Sequence, residues 1–417
     1  MNTFSIVFIV ALAATAATRL WLALRHVRHV QANRERVPAA FAADIDLQAH
    51  HKAADYTSAK TRLSATAIAF DTLVLLALTF GRVLQWLDGA AAGLFSNEIL
   101  RGTAFVAMLV VLTSAIELPF GLYRTFVIEM RFGFNKMTFA MWLKDLIKHA
   151  VVGALLGLPL VLAVLWLMDR MGELWWLYVW VVWVAFNTLV LAIYPTFIAP
   201  LFNKFSPMQE GELKKRIEQL IERCGFTSKG LFVMDGSTRS THGNAYFTGF
   251  GKSKRIVFFD TLLNRLDPPE IEAVLAHELG HFRLRHVVKR LAWTFAVSLV
   301  LLWVLGELRG QSWFFEGLGV AFPATDAMAL ALFFLVVPVF TFPLQPLMAM
   351  YSRKHEFEAD EYAALFAPAR DLTRALVKLY KDNASTLTPD PLHSAFYDSH
   401  PPAAVRIARL EQLTAKS

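Results

Sequence analysis

His277-Glu278-Leu279-Gly280-His281 sets two imidazoles four residues apart with a carboxylate between them. On a helix, positions i and i+4 share a face, so both rings can meet one metal ion while Glu278 falls beside that face. Two histidines and a third, carboxylate ligand leave one coordination position open to water, whose pKa falls towards neutrality, and a neighbouring glutamate can take its proton. That division of labour describes a metallopeptidase. Imidazole donors suit zinc better than magnesium or calcium, with manganese or cobalt as substitutes. The single cysteine, Cys224, excludes both an internal disulfide and a cysteine metal cage. The rival explanation is a polar helix whose two histidines are satisfied at a membrane surface.

The missing third ligand has a candidate in Ser352-Arg-Lys-His-Glu-Phe-Glu-Ala-Asp360. Glu356 and Asp360 share a helix face, so Glu356 can reach a metal while Asp360, one turn behind, accepts the second ring N–H of a ligand histidine. Glu358 and Glu361 read as a solvated acidic face. Hydrolysis of a peptide bond also calls for a donor to the carbonyl oxygen beyond the metal. His400, in Ser399-His400-Pro401-Pro402, is the candidate, because the prolines limit the backbone after it. Arg406 either orients that loop or binds a substrate carboxylate, and Asp360 is a rival proton donor. Asn244 and Tyr246 stand on an edge strand able to pair with an extended substrate. His242 and His393 read as ordinary loop histidines.

Membrane helices must carry these residues. The 417 residues are 56% hydrophobic, with net charge +7 and mean hydropathy +0.43, too apolar for an ordinary soluble enzyme of this size. About seven blocks of some twenty apolar residues can each cross a core about 30 Å thick. They are Thr3–Leu24, Ser64–Trp86, Gly102–Ile128, Ala150–Met168, Trp175–Pro195, Leu291–Leu308 and Ala327–Met350. The first carries no Lys or Arg ahead of it, so it reads as a retained span rather than a signal peptide. Pro338, Pro343 and Pro346 predict a kinked seventh span. Asp71, Glu117 and Asn187 lie within apolar spans and are expected to face inward. Trp175, Trp176, Tyr178, Trp180 and Trp183 read as an interfacial belt.

Cations cluster after the first span and between the third and fourth, which puts the N-terminus outside and the C-terminus in the cytoplasm. The chain divides into membrane helices 1–5 (1–196), a cytoplasmic catalytic region (197–290), helices 6–7 (291–351) and a C-terminal cytoplasmic region (352–417). Leu231–Met234, Ala245–Phe247 and Ile256–Phe259 predict a small sheet. Asp267 and Pro268-Pro269 predict the N-cap and start of the HELGH helix, which should run on towards the sixth span.

HELGH with His286 following, and SRKHEFEAD, resemble the two signatures of the type I CAAX prenyl endopeptidases. So do Arg131–Lys136, Pro200–Pro207, Asn244–Phe247, Lys254–Val257 and Ser399–Pro402, in this order over most of the chain. The resemblance implies a mainly α polytopic protein of seven helices around a water-filled chamber, with a cytoplasmic zincin-like domain that contains a small sheet. It implies one zinc on His277, His281 and Glu356, with Glu278 as general base. It also implies that the His-Pro-Pro segment closes over the site, and it supports substrate binding at Asn244 and Tyr246. The substrate implied is a peptide or protein, prenylated and losing its last three residues in eukaryotic members. For a bacterial inner-membrane protein, which the short Ala-rich loops favour, a broader peptidase or quality-control role is expected. The alternative class is a seven-span transporter or lipid-binding protein with a vestigial zinc site. The basic pI follows the positive-inside pattern, so the lipid bilayer, and no nucleic acid, is the expected partner.

Overall fold

A computed structural model describes residues 2–227, 230–248 and 255–414. Lys254 of the Lys254–Val257 segment, and the termini Met1 and Ser417, lie outside the described residues. Among the described residues, seven helices are long and apolar enough to span a bilayer: Thr3–Ala32, Leu47–Leu78, Glu98–Glu129, Phe139–Arg170, Gly172–Phe202, His286–Leu308 and Asp326–Phe366. Each packs on the next in sequence, and the seventh packs on the first, which closes a ring. The windows of the first six are only 6–22% buried, as befits a wall one helix thick, whereas that of the seventh is 50% buried.

Three helix boundaries depart from hydropathy. The apolar run Ser64–Trp86 is cut at Thr79–Arg82, and a separate helix, Val83–Leu94, packs back on the third span. Gly81 permits this turn, since a Cβ there would sit 2.8 Å from the Ala77 Cα. Arg82 adopts the left-handed conformation. The HELGH helix, Pro268–Arg283, does not run into the sixth span. It stops at Leu284, and Arg285, with φ of 58°, turns the chain so that His286 opens a new helix. The seventh span is interrupted, as its prolines predict: Asp326–Thr341 passes through a short 3₁₀ turn, Phe342–Leu344, into Gln345–Phe366.

The four-stranded sheet has the order β1-β2-β4-β3, with β1 Phe205–Pro207, β2 Leu231–Met234, β3 Ala245–Thr248 and β4 Arg255–Phe259. β2 and β4 are parallel and the other pairs antiparallel. β1 carries no sequence signal of its own, being three residues that end in proline at a sheet edge. The sheet, the HELGH helix and the helix Ala369–Asp382 share a core that includes Ile217, Phe258, Ile271, Leu275 and Leu372.

The aromatic belt is only partly interfacial. Trp175 is buried beneath the Arg309 guanidinium, and Trp180 donates to the Phe295 carbonyl of the sixth span at 2.9 Å. Asn187 satisfies itself on its own helix, donating to the Trp183 carbonyl at 2.7 Å.

Candidate active site

Two helices build the site. Asp267 caps Pro268–Arg283 through a capping box with Glu270, and Lys378 reaches both carboxylates at 2.8 Å. The helix is therefore fixed at its start, and its buried face carries Ile271, Leu275 and Leu279 as well as His277. The partner helix, Gln345–Phe366, crosses it at Gly280, where a Cβ would lie 3.1 Å from the Cα and carbonyl oxygen of Ala359. That close approach brings Glu356 and Asp360 to the two histidines.

His277 Nε2 lies 3.2 Å from His281 Nε2 and 3.5 Å from Glu356 Oε2, and His281 Nε2 lies 3.3 Å from Glu356 Oε1. The three ligand atoms fall within 4.8 Å of one another. Glu356 Oε2 is buried with no hydrogen-bond partner. A buried carboxylate whose two oxygens each face an imidazole nitrogen, one of them making no hydrogen bond among the described residues, is an environment a divalent cation completes, so the donor set fits a metal ion.

Behind these groups, His277 Nδ1 meets Asp360 Oδ1 at 2.8 Å. Arg406 grips the Asp360 carboxylate with Nε at 2.9 Å and Nη2 at 2.6 Å, and its Nη1 lies 3.7 Å from Glu356. Arg406 is only 6% exposed. Its guanidinium faces these two carboxylates. Burial alone would drive the His277 pKa down, yet the carboxylates on its two nitrogens outweigh that and hold it up to about 9. A cation in the donor set replaces that proton.

Glu278 is half-buried and makes no hydrogen bond or ion pair among the described residues. His400 Nε2 stands 3.4 Å from Glu356 Oε1, while its Nδ1 is 3.0 Å from the Ser399 hydroxyl. Its ring is 64% exposed, so it overhangs the donor set from the open side. β3 lies at the sheet edge and packs on the HELGH helix. Asn244 is exposed just ahead of it, and Tyr246, opposite Val257 of β4, is half-buried.

Sequence reasoning missed three features. Glu358 is not part of a solvated face, because its carboxylate pairs with buried His286 at 2.9 Å; Glu361 is exposed and pairs with Arg409. Arg353 Nη1 donates to the carbonyls of Ser394 and Asp398 at 3.1 and 2.9 Å, which secures the short helix Pro391–Tyr397 ahead of the His400 loop. His242 and His393 are packed rather than free: His242 bonds Asn383 at 3.0 Å, and His393, on that same short helix, stacks on His26 at 4.0 Å. The hints in the sequence were a histidine opening a membrane helix and an arginine three residues before a glutamate-rich turn.

A multi-pass membrane protein whose HExxH helix meets a second helix bearing Glu356 has the build of a membrane metallopeptidase. Residues 26–204 match the model of the CAAX prenyl protease N-terminal region, five membrane helices, and residues 207–414 match peptidase family M48. The CAAX prenyl protease 1 homolog of Arabidopsis thaliana is 39% identical over 323 residues, 76% of this chain and 74% of that protein. CAAX prenyl protease 1 of Saccharomyces cerevisiae is 32% identical over 418 residues, covering 94% and 92%. The crystal structure of S. mikatae Ste24p superposes with a TM-score of 0.92 at 30% identity, over 99% of this chain and 100% of that one. The chain belongs to the CAAX prenyl protease family of M48 peptidases, and is a membrane metalloendopeptidase. The transporter or lipid-binding alternative is not favoured.

Proposed function

We propose that this protein is a one-zinc endopeptidase that cleaves near the C-terminus of prenylated CAAX proteins on the cytoplasmic side of the membrane. The observation that carries it is the convergence of His277, His281 and Glu356 beside an unencumbered Glu278. The three residues would hold the metal; nitrogen and oxygen donors favour zinc. When bound, the metal supplies Lewis-acid polarisation of the scissile carbonyl and acidifies the attacking water. Glu278 takes that water's proton and later returns one to the leaving amine. His400 donates a hydrogen bond to the carbonyl oxygen as negative charge grows there. Asn244 and the β3 edge receive the substrate as an added strand, and Tyr246 helps set its register. Asp360 fixes the His277 ring, and Arg406 neutralises and aims Asp360. The relatives' names point to CAAX prenyl substrates.

The cation-rich loops after the first span and between the third and fourth support a topology with the N-terminus outside and the C-terminus in the cytoplasm. The division at 1–196, 197–290, 291–351 and 352–417 follows from that topology.

The test is purification in detergent, metal analysis, and digestion of a farnesylated CAAX peptide beside its unmodified counterpart. One zinc per chain, activity lost on chelation, and preference for the farnesylated peptide are expected. Equal cleavage of both peptides would replace prenyl specificity with a broad membrane peptidase; absence of zinc, with activity indifferent to chelator, would overturn the metal centre.

A further inference from the structure

The two histidines of HELGH are braced differently. His277 leans on Asp360, a carboxylate held by an arginine. Among the described residues His281 has no carboxylate at its outer nitrogen; its Nδ1 lies 2.9 Å from Nδ1 of His286. His286 in turn places Nε2 2.9 Å from Glu358 Oε2. We infer that His286 is a positioning residue that, backed by Glu358, locks His281 in the tautomer and orientation that present Nε2 to the metal.

The proton count fixes the direction of this chain of bonds, given the metal centre proposed above, on which the inference rests. His281 Nε2 faces the donor set, 3.2 Å from His277 Nε2, so a neutral His281 carries its proton on Nδ1. Two imidazole nitrogens 2.9 Å apart share one proton, and His281 Nδ1–H therefore donates to the lone pair on His286 Nδ1. The His286 proton is then on Nε2, where it donates to the Glu358 carboxylate. Glu358 thereby polarises His286, which makes it a better acceptor and raises the basicity of His281 towards the metal.

The position of the ring is as constrained as its protons. His286 is 3% exposed in its side chain, and the His355 ring lies parallel to it at 4.0 Å with an interplanar angle of 10°. That stack also argues against the alternative, a second metal on His286, His355 and Glu358. Lone pairs of two parallel stacked rings run side by side rather than converging on one point, and both nitrogens of His286 are already engaged. The arrangement repeats, with a neutral ring inserted, the carboxylate–histidine–metal pattern seen on the His277 side.

The test measures zinc affinity of the full-length protein in detergent, by competition with a chromogenic chelator, zinc alone being the probe. His286→Phe keeps an aromatic ring for the stack but removes the acceptor, and should weaken zinc binding about 10- to 100-fold. His286→Asn sets an amide oxygen near the Nδ1 position and should recover most of that loss. Glu358→Leu should weaken binding, and Glu358→Gln, which keeps an acceptor, should weaken it less. Parental affinity in His286→Phe, or no recovery in His286→Asn, overturns the inference. If His286→Phe does not fold, the Glu358 pair decides: equal affinity in the two Glu358 variants sinks it. His281→Ala separates the two readings. Unchanged affinity there means the metal centre itself is wrong, whereas loss there without loss in His286→Phe means only the brace is wrong.

Discussion

The membrane wall and the active-site layer beneath it are built on opposite terms. In the wall, the first six spans bury only 6–22% of their most apolar windows, and each leans on its neighbours in the ring. At the site, His277, Glu356, Asp360 and Arg406 are 1–7% exposed, and the Asp360 carboxylate joins His277 to Arg406, which stands 46 residues further along the chain. A wall set by average composition accepts change at most positions. A network of buried charges does not, because removing one member strands the others in a low dielectric.

The largest effect expected is on chemistry rather than stability. Glu278→Gln keeps the shape and cannot take a proton, so turnover should fall about 10²- to 10⁴-fold. Zinc content measured on the same preparation should stay at the parental level. Near-parental turnover with full zinc would move the base elsewhere.

Next comes the charge network. Arg406→Met leaves Asp360 buried without its guanidinium, a loss of about 3–5 kcal/mol for a broken buried pair, read as a lower thermal midpoint in detergent. Arg406→Lys should recover little, since the two-pronged grip on Asp360 needs the guanidinium fork. A midpoint unchanged in both variants would show that the network is not what holds this layer. His400→Ala should retain fold and zinc while turnover falls about 10²- to 10³-fold, with KM much less affected. A parental rate there would return His400 to an ordinary loop residue.

Gly280→Ala tests where the two helices cross. The added methyl meets backbone of Ala359 at 3.1 Å, which cannot swing aside as a side chain would. Overpacking of this kind costs about 1–3 kcal/mol, and the displaced Gln345–Phe366 helix carries Glu356 with it, so zinc affinity should fall alongside the thermal midpoint. Lower stability with intact zinc affinity would show that the helices can part without moving Glu356.

The same contrast governs what could be read from the sequence. Spans, the interrupted seventh helix and the Asp267 cap were legible because each depends on residues close together in the chain: runs of apolar side chains, Pro338 to Pro346, an Asp before two prolines. HELGH was legible for the same reason, its two histidines being one turn apart. The break at Gly81 was not, since apolar residues continue across it, and neither was the turn at Arg285, where a cation adopts φ of 58°. Glu358 was read as solvated because its helix spacing from Glu356 points it elsewhere; that it meets His286, 72 residues away, is a property of the packing alone. Arg406 carried two readings in sequence, loop orientation or substrate contact, and its burial against Asp360 was legible in neither.

The smallest effect should come from the wall. In the third span, Val110, Ser114, Glu117 and Gly121 form one accessible face, while Val111, Ala115 and Pro119 form another well round the helix. The first repeats at i, i+4, i+7 and i+11 and holds the polar residues; the second is wholly apolar. A carboxylate facing hydrocarbon would cost about 3 kcal/mol, so the Glu117 face belongs to the chamber and the Val111 face to lipid. Glu117→Gln should then shift the thermal midpoint hardly at all, its stability change staying within about 0.5 kcal/mol. The face assignment can be read directly, because Cys224 is the chain's single cysteine. In a Cys224→Ser background reconstituted into liposomes, Glu117→Cys, in water, should react with a small charged maleimide. Val111→Cys, in hydrocarbon where a thiolate does not form, should not. Labelling at Val111→Cys in preference to Glu117→Cys would turn the helix over and put the chamber on its other side.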